Sequence, residues 1–306
     1  MTSPPIEFGM TMRGTDGIEA SAQRIEELGF DYVGSGEHVA FHVPTPNNFV
    51  SLSVAAGATS RIKLLSAVTV LPLYPAVLAA KLAAALDVAS NGRFVMGVGI
   101  GGEYPREFEA CGVPVHERGA RCNESLALMK RLWTETNVTF HGRFNTVNDI
   151  TIAPRPVSMP HPPLWISGRR DAAMRRAARF GDGWMPYMYS PDMLRDSLAK
   201  IAEHCSELGR LPADVRPAIY IFTCVHADRD TAIDYAVARL GATYAQDFRA
   251  KAGRYTLVGT PEDCRARLAE YVDAGARTVF FASACPDDHV AENQRLLVDE
   301  VIPAFR

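Results

Sequence analysis

The 306 residues exceed one ordinary domain, and the length alone leaves open two domains or a single α/β barrel with insertions. A composition of 47% hydrophobic and 22% charged residues excludes a disordered chain. Lys+Arg 32 against Asp+Glu 35, a formal charge of −3, leaves no basic surplus for nucleic acid or an anionic membrane surface.

Taken in chain order, short apolar strands alternate with amphipathic helices. Ile6-Glu7-Phe8-Gly9-Met10 predicts the first strand, and Ile18, Ala22, Ile25 and Leu28 share a helix face before Gly29 stops it. Asp31–Ser35 predicts the second strand and 49–59 a helix. Lys63–Val70 predicts a third strand, apolar enough to be covered on both sheet faces. Pro75 opens a helix to about Ala89, and Phe94–Val98 predicts the fourth strand. Cys122, Leu126, Met129 and Trp133 then fall at helical spacing.

Residues 137–160 break the rhythm. Alternation with a turn glycine, then a proline-rich run, predicts an inserted hairpin and an extended segment. Leu164–Ile166 and Gly183–Met185 predict strands five and six, with a helix over Asp171–Phe180 between them. Ser190-Pro191 caps a helix that turns Leu194, Leu198, Ile201, Cys205 and Leu208 inward. Ile219–Val225 predicts strand seven, followed by helices near 228–248 and 261–274. Thr278–Ala282 predicts strand eight, before a last helix near 290–300. Strict alternation implies a parallel sheet, and eight repeats imply closure. The expectation is one α/β domain over 1–306, a (β/α)8 TIM barrel with an insertion near 137–160; an open doubly wound sheet is the alternative.

No basic and apolar leader opens the chain, and Pro72 and Pro75 cut its longest uncharged run, Leu64–Ala80. Six cysteines show neither C-x-x-C nor zinc-finger spacing. These features predict a cytoplasmic protein with no membrane span, reduced thiols and no metal.

In such a barrel, chemistry gathers just after the strands. His38 follows strand two; a histidine there either exchanges protons near neutral pH or satisfies loop carbonyls. His42, four residues on, has no evident third ligand for a metal. Gly97-Val98-Gly99-Ile100-Gly101-Gly102 spells a dinucleotide fingerprint, but Glu103-Tyr104-Pro105 follows instead of an immediate helix. These glycines signal close backbone approach, either to a flat ring or within tight packing. Ser167-Gly168-Arg169-Arg170 runs into a helix N-terminus and predicts an anion site. Trp184 is a pocket wall or plain core. Glu117, Arg118, Arg121 and Glu124 predict a surface ion-pair lattice.

With these residues in place, the chain resembles the bacterial luciferase-like flavin and deazaflavin oxidoreductases over essentially its whole length. The matching segments include Gly36-Glu37-His38, Ser66–Pro72, Ser90-Asn91-Gly92-Arg93-Phe94 and Gly97-Val98-Gly99. Glu107-Phe108, Glu117-Arg118-Gly119, Pro163–Gly168 and Gly181-Asp182-Gly183-Trp184 continue the series. The resemblance implies a (β/α)8 barrel holding coenzyme F420 or FMN at the strand ends. It implies a non-proline cis peptide at Ala67-Val68 beneath the ring, the cofactor phosphate on Ser167-Gly168-Arg169, and His38 as the active-site histidine. Gly97, Gly99 and Trp184 are the further expected cofactor contacts.

The segment from Leu71 to Gly119 is more similar to the F420-dependent branch. The expected activity is hydride transfer between F420 and a small organic substrate, with an FMN-dependent monooxygenase as the alternative. A non-catalytic flavin carrier on the same fold is a third possibility. Gly102 stands where some sugar-phosphate dehydrogenases of this branch carry an acid, with Glu103 one step on, and His42 where they carry an aromatic. Sugar-phosphate specificity is therefore not expected. A homodimer is expected, with substrate loops at 40–48, 103–116, 137–160 and 247–259.

Overall fold

The computed structural model describes residues 5–306. Its strands are β1 (Glu7–Thr11), β2 (Tyr32–Ser35), β3 (Lys63–Ser66), β4 (Thr69–Val70), β5 (Phe94–Gly99), β6 (Val138–His141), β7 (Thr146–Ile150), β8 (Leu164–Ile166), β9 (Gly183–Trp184), β10 (Arg216–Val225), β11 (Thr256–Gly259) and β12 (Thr278–Ser283). Its helices are α1 (Ile18–Glu27), α2 (Asn48–Ala58), α3 (Ala76–Ala89), α4 (Pro105–Ala110), α5 (Arg118–Thr134), α6 (Asp171–Phe180), α7 (Pro191–Glu207), α8 (Arg229–Tyr244), α9 (Arg249–Tyr255), α10 (Pro261–Asp273) and α11 (Val290–Leu296).

Parallel pairing runs β1-β2-β3-β5-β8-β9-β10-β12 and returns to β1, so the sheet closes into the expected (β/α)8 barrel. Local chemistry sets the helix ends. The Ser190 hydroxyl accepts from Met193 N–H at the start of α7, and Thr260 with Asp263 forms a reciprocal capping box on α10. Gly29 ends α1 with a positive φ of 80°. Leu208 departs from expectation: it lies past the last turn of α7 and is 50% exposed.

The barrel is packed on both sides of its wall. Outside, Phe8, Met10, Ile25, Leu52, Leu64, Phe94, Met129 and Trp133 fill the space between strands and helices. Burying each such side chain contributes roughly 1.5–3 kcal/mol. Inside, Tyr32, Leu65, Val95, Trp165, Met185 and Phe280 form a separate cluster. Phe280 takes its room from two glycines: a Cβ on Gly9 or Gly34 would come within 2.2 Å or 2.4 Å of its ring. At the lower mouth the Glu7 carboxylate accepts from Tyr32 Oη at 2.7 Å and Lys63 Nζ at 2.8 Å, and pairs with Arg216 at 2.9 Å.

Three features differ from the sequence expectation. The third predicted strand is interrupted: β3 pairs with β2, β4 pairs with β5, and Ala67–Val68, joined by a cis peptide bond, bulges between them. The long helix after strand seven ends at Tyr244, where Ala245 turns left-handed, and α9 and β11 follow. The two-residue β9 pairs only with Arg216 and Pro217 of β10; β11 takes Phe222–Val225 higher on that strand.

The third difference concerns 137–160, which forms the predicted hairpin (β6 and β7) but lays it along the outside of α5. It links a helix back to a strand, which starts it at the lower end of the barrel. Its turn lies on α5, where the Glu124 carboxylate accepts from the N–H groups of Arg143, Phe144 and Asn145. Its extended part is tied to the Asp87 carboxylate through Val157 and Ser158. Among the described residues no helix is long and apolar enough to cross a membrane.

Candidate active site

The floor of the upper mouth is built from the ends of β2, β3, β4 and β5. Ala67 N–H donates to Ser35 C=O at 2.8 Å, and the Ser66 hydroxyl donates to Gly97 C=O at 2.9 Å. A Cβ on Gly97 would stand 1.9 Å from Ser66 O, and one on Gly99 would stand 2.5 Å from Val68 Cγ2. What these two glycines admit is therefore the bulged chain of Ser66–Val68 itself. The part of this floor that remains half-open is Ala67 and Val68, beside Gly36 and His38.

His38 is fixed by a partner that sequence reading missed. Its Nδ1 lies 3.2 Å from both oxygens of Glu107, a carboxylate on α4 with no exposed surface, which also accepts from Val39 N–H. The Phe41 ring stacks on the imidazole at 4.0 Å and 11°. Next door, Glu37 is also buried and accepts from Val70 N–H, Asn48 N–H, Asn47 and Tyr74. Burial raises its pKa despite those donors. Asn48 is wholly buried, donates to Thr69 and leaves its own carbonyl oxygen without a partner.

The loop after β8, where an anion site is expected, runs into the uncapped N-terminus of α6. Ser167 N–H donates to Val98 C=O, and Gly168 has a φ of 137° with Ala173 2.7 Å from where its Cβ would be. No side chain caps α6, so its first N–H groups remain available to an anion. Arg169 lies over the Tyr187 ring at 5.0 Å. Trp184 corrects the expectation of a direct cofactor contact. It has no exposed surface, because β9 aims it into the core behind the loop, and its indole N–H holds Gly168 C=O at 3.1 Å. It positions the loop from behind.

Arg118 is a second correction. Arg121 pairs with Glu117 at 2.8 Å, as the lattice predicts, but Arg118 turns away and packs its guanidinium against Gly102. Its Nη1 donates to Val115 C=O, while its buried Nε has no partner. A buried guanidinium N–H without an acceptor, at the N-terminus of α5 and one strand away from the α6 N-terminus, fits an anionic group such as a phosphate.

Above the floor lies a cleft of about 480 Å³ lined by Phe41, His42, Glu103, Arg169, Tyr187, Met188, Met193, Tyr244, Gln246, Phe248, Lys251 and Tyr255. Three of the four expected substrate loops meet here; 137–160 contributes nothing. The cleft walls raise the Glu103 pKa by desolvation, against the attraction of His38 and Arg169, although the side chain keeps access to solvent. His42 packs edge-on to Phe41 and Tyr104. Among the described residues no three His, Cys, Asp or Glu side chains are placed to hold a metal ion.

A closed barrel with a histidine–carboxylate pair and an uncapped helix N-terminus at its C-terminal mouth defines a (β/α)8-barrel protein with its candidate site at the strand ends. The luciferase-like monooxygenase family model matches residues 6–278, and the chain belongs to that family. It is 34% identical over 167 residues to an FMNH(2)-dependent dimethylsulfone monooxygenase of Pseudomonas putida, covering 53% of this chain and 46% of that one. It is 27% identical over 317 residues to an F420-dependent glucose-6-phosphate dehydrogenase of Microbacterium testaceum, covering 92% and 90%. The chain spans about half the length of the first of these. Among solved structures, the monooxygenase RslO1 from Streptomyces bottropensis superposes with a TM-score of 0.84 at 25% identity, over 98% of this chain and 100% of that one.

Proposed function

We propose that the chain is an oxidoreductase transferring a hydride between coenzyme F420 and a small organic substrate. The carrying observation is the placing of a carboxylate-held His38 at the same mouth as the Arg118 and Ser167–Arg169 anion site. The near full-length similarity to an F420-dependent relative supports the choice of cofactor. F420, when bound, supplies the carbon that gives or accepts the hydride.

The chain's own residues do the remaining work. Ser167, Gly168, Arg169 and Arg118 hold the phosphate. Ala67 and Val68, seated on Gly97 and Gly99, set the depth of the ring. His38, with Nδ1 committed to Glu107, has Nε2 left to move the proton that accompanies the hydride. The cleft walls orient the substrate and exclude water.

FMN is the second reading, favoured by the similarity to an FMNH(2)-dependent monooxygenase; reduced flavin and oxygen would then serve a substrate in the same cleft. One phosphate site serves both cofactors. The glutamate tail of F420 needs a basic rim, and Arg106, Arg169 and Arg170 lie exposed around this mouth. Titrating the cofactor-free protein with each compound decides between them. F420 is expected to bind, with Arg118→Ala and Arg169→Ala each weakening it about tenfold or more. Tight FMN binding with no response to F420 would overturn the lead reading.

The protein is further proposed to act in the cytoplasm as a homodimer. Six unbridged cysteines suit a reducing compartment. The outer faces of α2 and α3 expose Val50, Val54 and Leu78 at 64%, 42% and 49%, an apolar surface that a second copy would cover.

A further inference from the structure

We infer that the substrate is an uncharged compound carrying a planar ring, held by aromatic contacts instead of ion pairs. The inference rests on the assignment of the upper cleft as the substrate cleft of an oxidoreductase. Four separate stretches of chain bring rings together there: the loop after β2, the loop after β5, the end of α8 and the turn into α9. Phe41 meets Tyr244 edge-on at 6.2 Å and 83°, and meets Tyr104 at 6.4 Å and 80°. Tyr244 in turn meets Phe248 at 5.5 Å. Rings braced against one another in this way keep fixed orientations, and a flat π-system is the guest that gains from all of them at once.

The charges of the cleft point the same way. Both of its cations are already laid on rings, Arg169 over Tyr187 at 5.0 Å and Lys251 over Phe248 at 5.3 Å. Lys251 also donates to the Gln246 side chain at 2.5 Å, which occupies the amide oxygen as well. Arg169 belongs to the phosphate end of the site. Glu103 is the carboxyl among the lining residues, and desolvation by the surrounding walls raises its pKa. Along the ring faces of Phe41, Tyr244 and Phe248 a substrate hydroxyl buried without a partner would weaken binding.

The test is calorimetric titration of the cofactor-loaded protein with three probes: acetophenone, 2-octanone of equal carbon count, and glucose 6-phosphate. Acetophenone is expected to bind about tenfold more tightly than 2-octanone, the gain from one to two aromatic contacts. Glucose 6-phosphate is expected not to compete. Tyr244→Leu should bring the two ketones to within about twofold of each other while leaving the cofactor dissociation constant unchanged. Equal binding of the ketones to the wild type, no acetophenone binding, or preferred binding of the sugar phosphate would overturn the inference. A protein that takes neither cofactor would overturn the oxidoreductase reading instead, and the same probe series on the cofactor-free protein still decides the ring preference.

Discussion

Glu107 and His38 stand 69 positions apart, and nothing in the residues around either one announces the other. His38 was legible because it follows a strand at the chemically active end of a barrel. Glu107 was not, because only the tilt of the short helix α4 brings it beneath that loop. The same holds for Arg118, whose spacing fits an ion-pair lattice while its side chain turns to Gly102. Glu107→Gln keeps the shape and removes the charge that orients His38. We expect kcat to fall on the order of 10²-fold with KM changed little, as for loss of a well-placed proton carrier. His38→Ala should lower kcat by a similar factor; a variant that turns over like the wild type would remove His38 from the mechanism.

Elements were read well where periodicity alone decides them. Seven of the barrel strands, the hairpin and the helix caps follow from apolar spacing and cap chemistry. The exceptions are elements decided by neighbours. The strand β11 exists because β9 stops after two residues and leaves an edge on β10. The break between β3 and β4 depends on space that Gly97 and Gly99 leave on the adjacent strand. Gly97→Ala would place a methyl group against Ser66 O, a backbone atom that cannot swing aside. We expect a loss of about 1–3 kcal/mol, measured by denaturant midpoint, together with weaker cofactor binding. Gly253→Ala is the control, since a Cβ there meets nothing within 4 Å. Equal effects at the two positions would refute the packing account of the floor.

At the scale of the whole molecule, length left one barrel or two domains open, the count of eight strand–helix repeats pointed to one barrel, and the surplus residues divide between two places with different roles. The hairpin region braces α5 on the outside of the barrel, while 41–42, Glu103 and 244–255 shape the upper cleft. The apolar outer faces of α2 and α3 carry the dimer proposal. Val50→Glu with Leu78→Glu should shift the protein to monomers in sedimentation velocity without unfolding it; a wild type already monomeric at micromolar concentration would defeat the proposal. The filled interior has a separate bearing on the chemistry. Phe280, seated on Gly9 and Gly34, plugs the barrel below the floor, so nothing passes from one mouth to the other. A flat ring resting on Ala67 and Val68 thus has one face against protein and one toward the cleft. Every reaction partner meets it from that single side, which predisposes the protein to handle one face of a prochiral substrate.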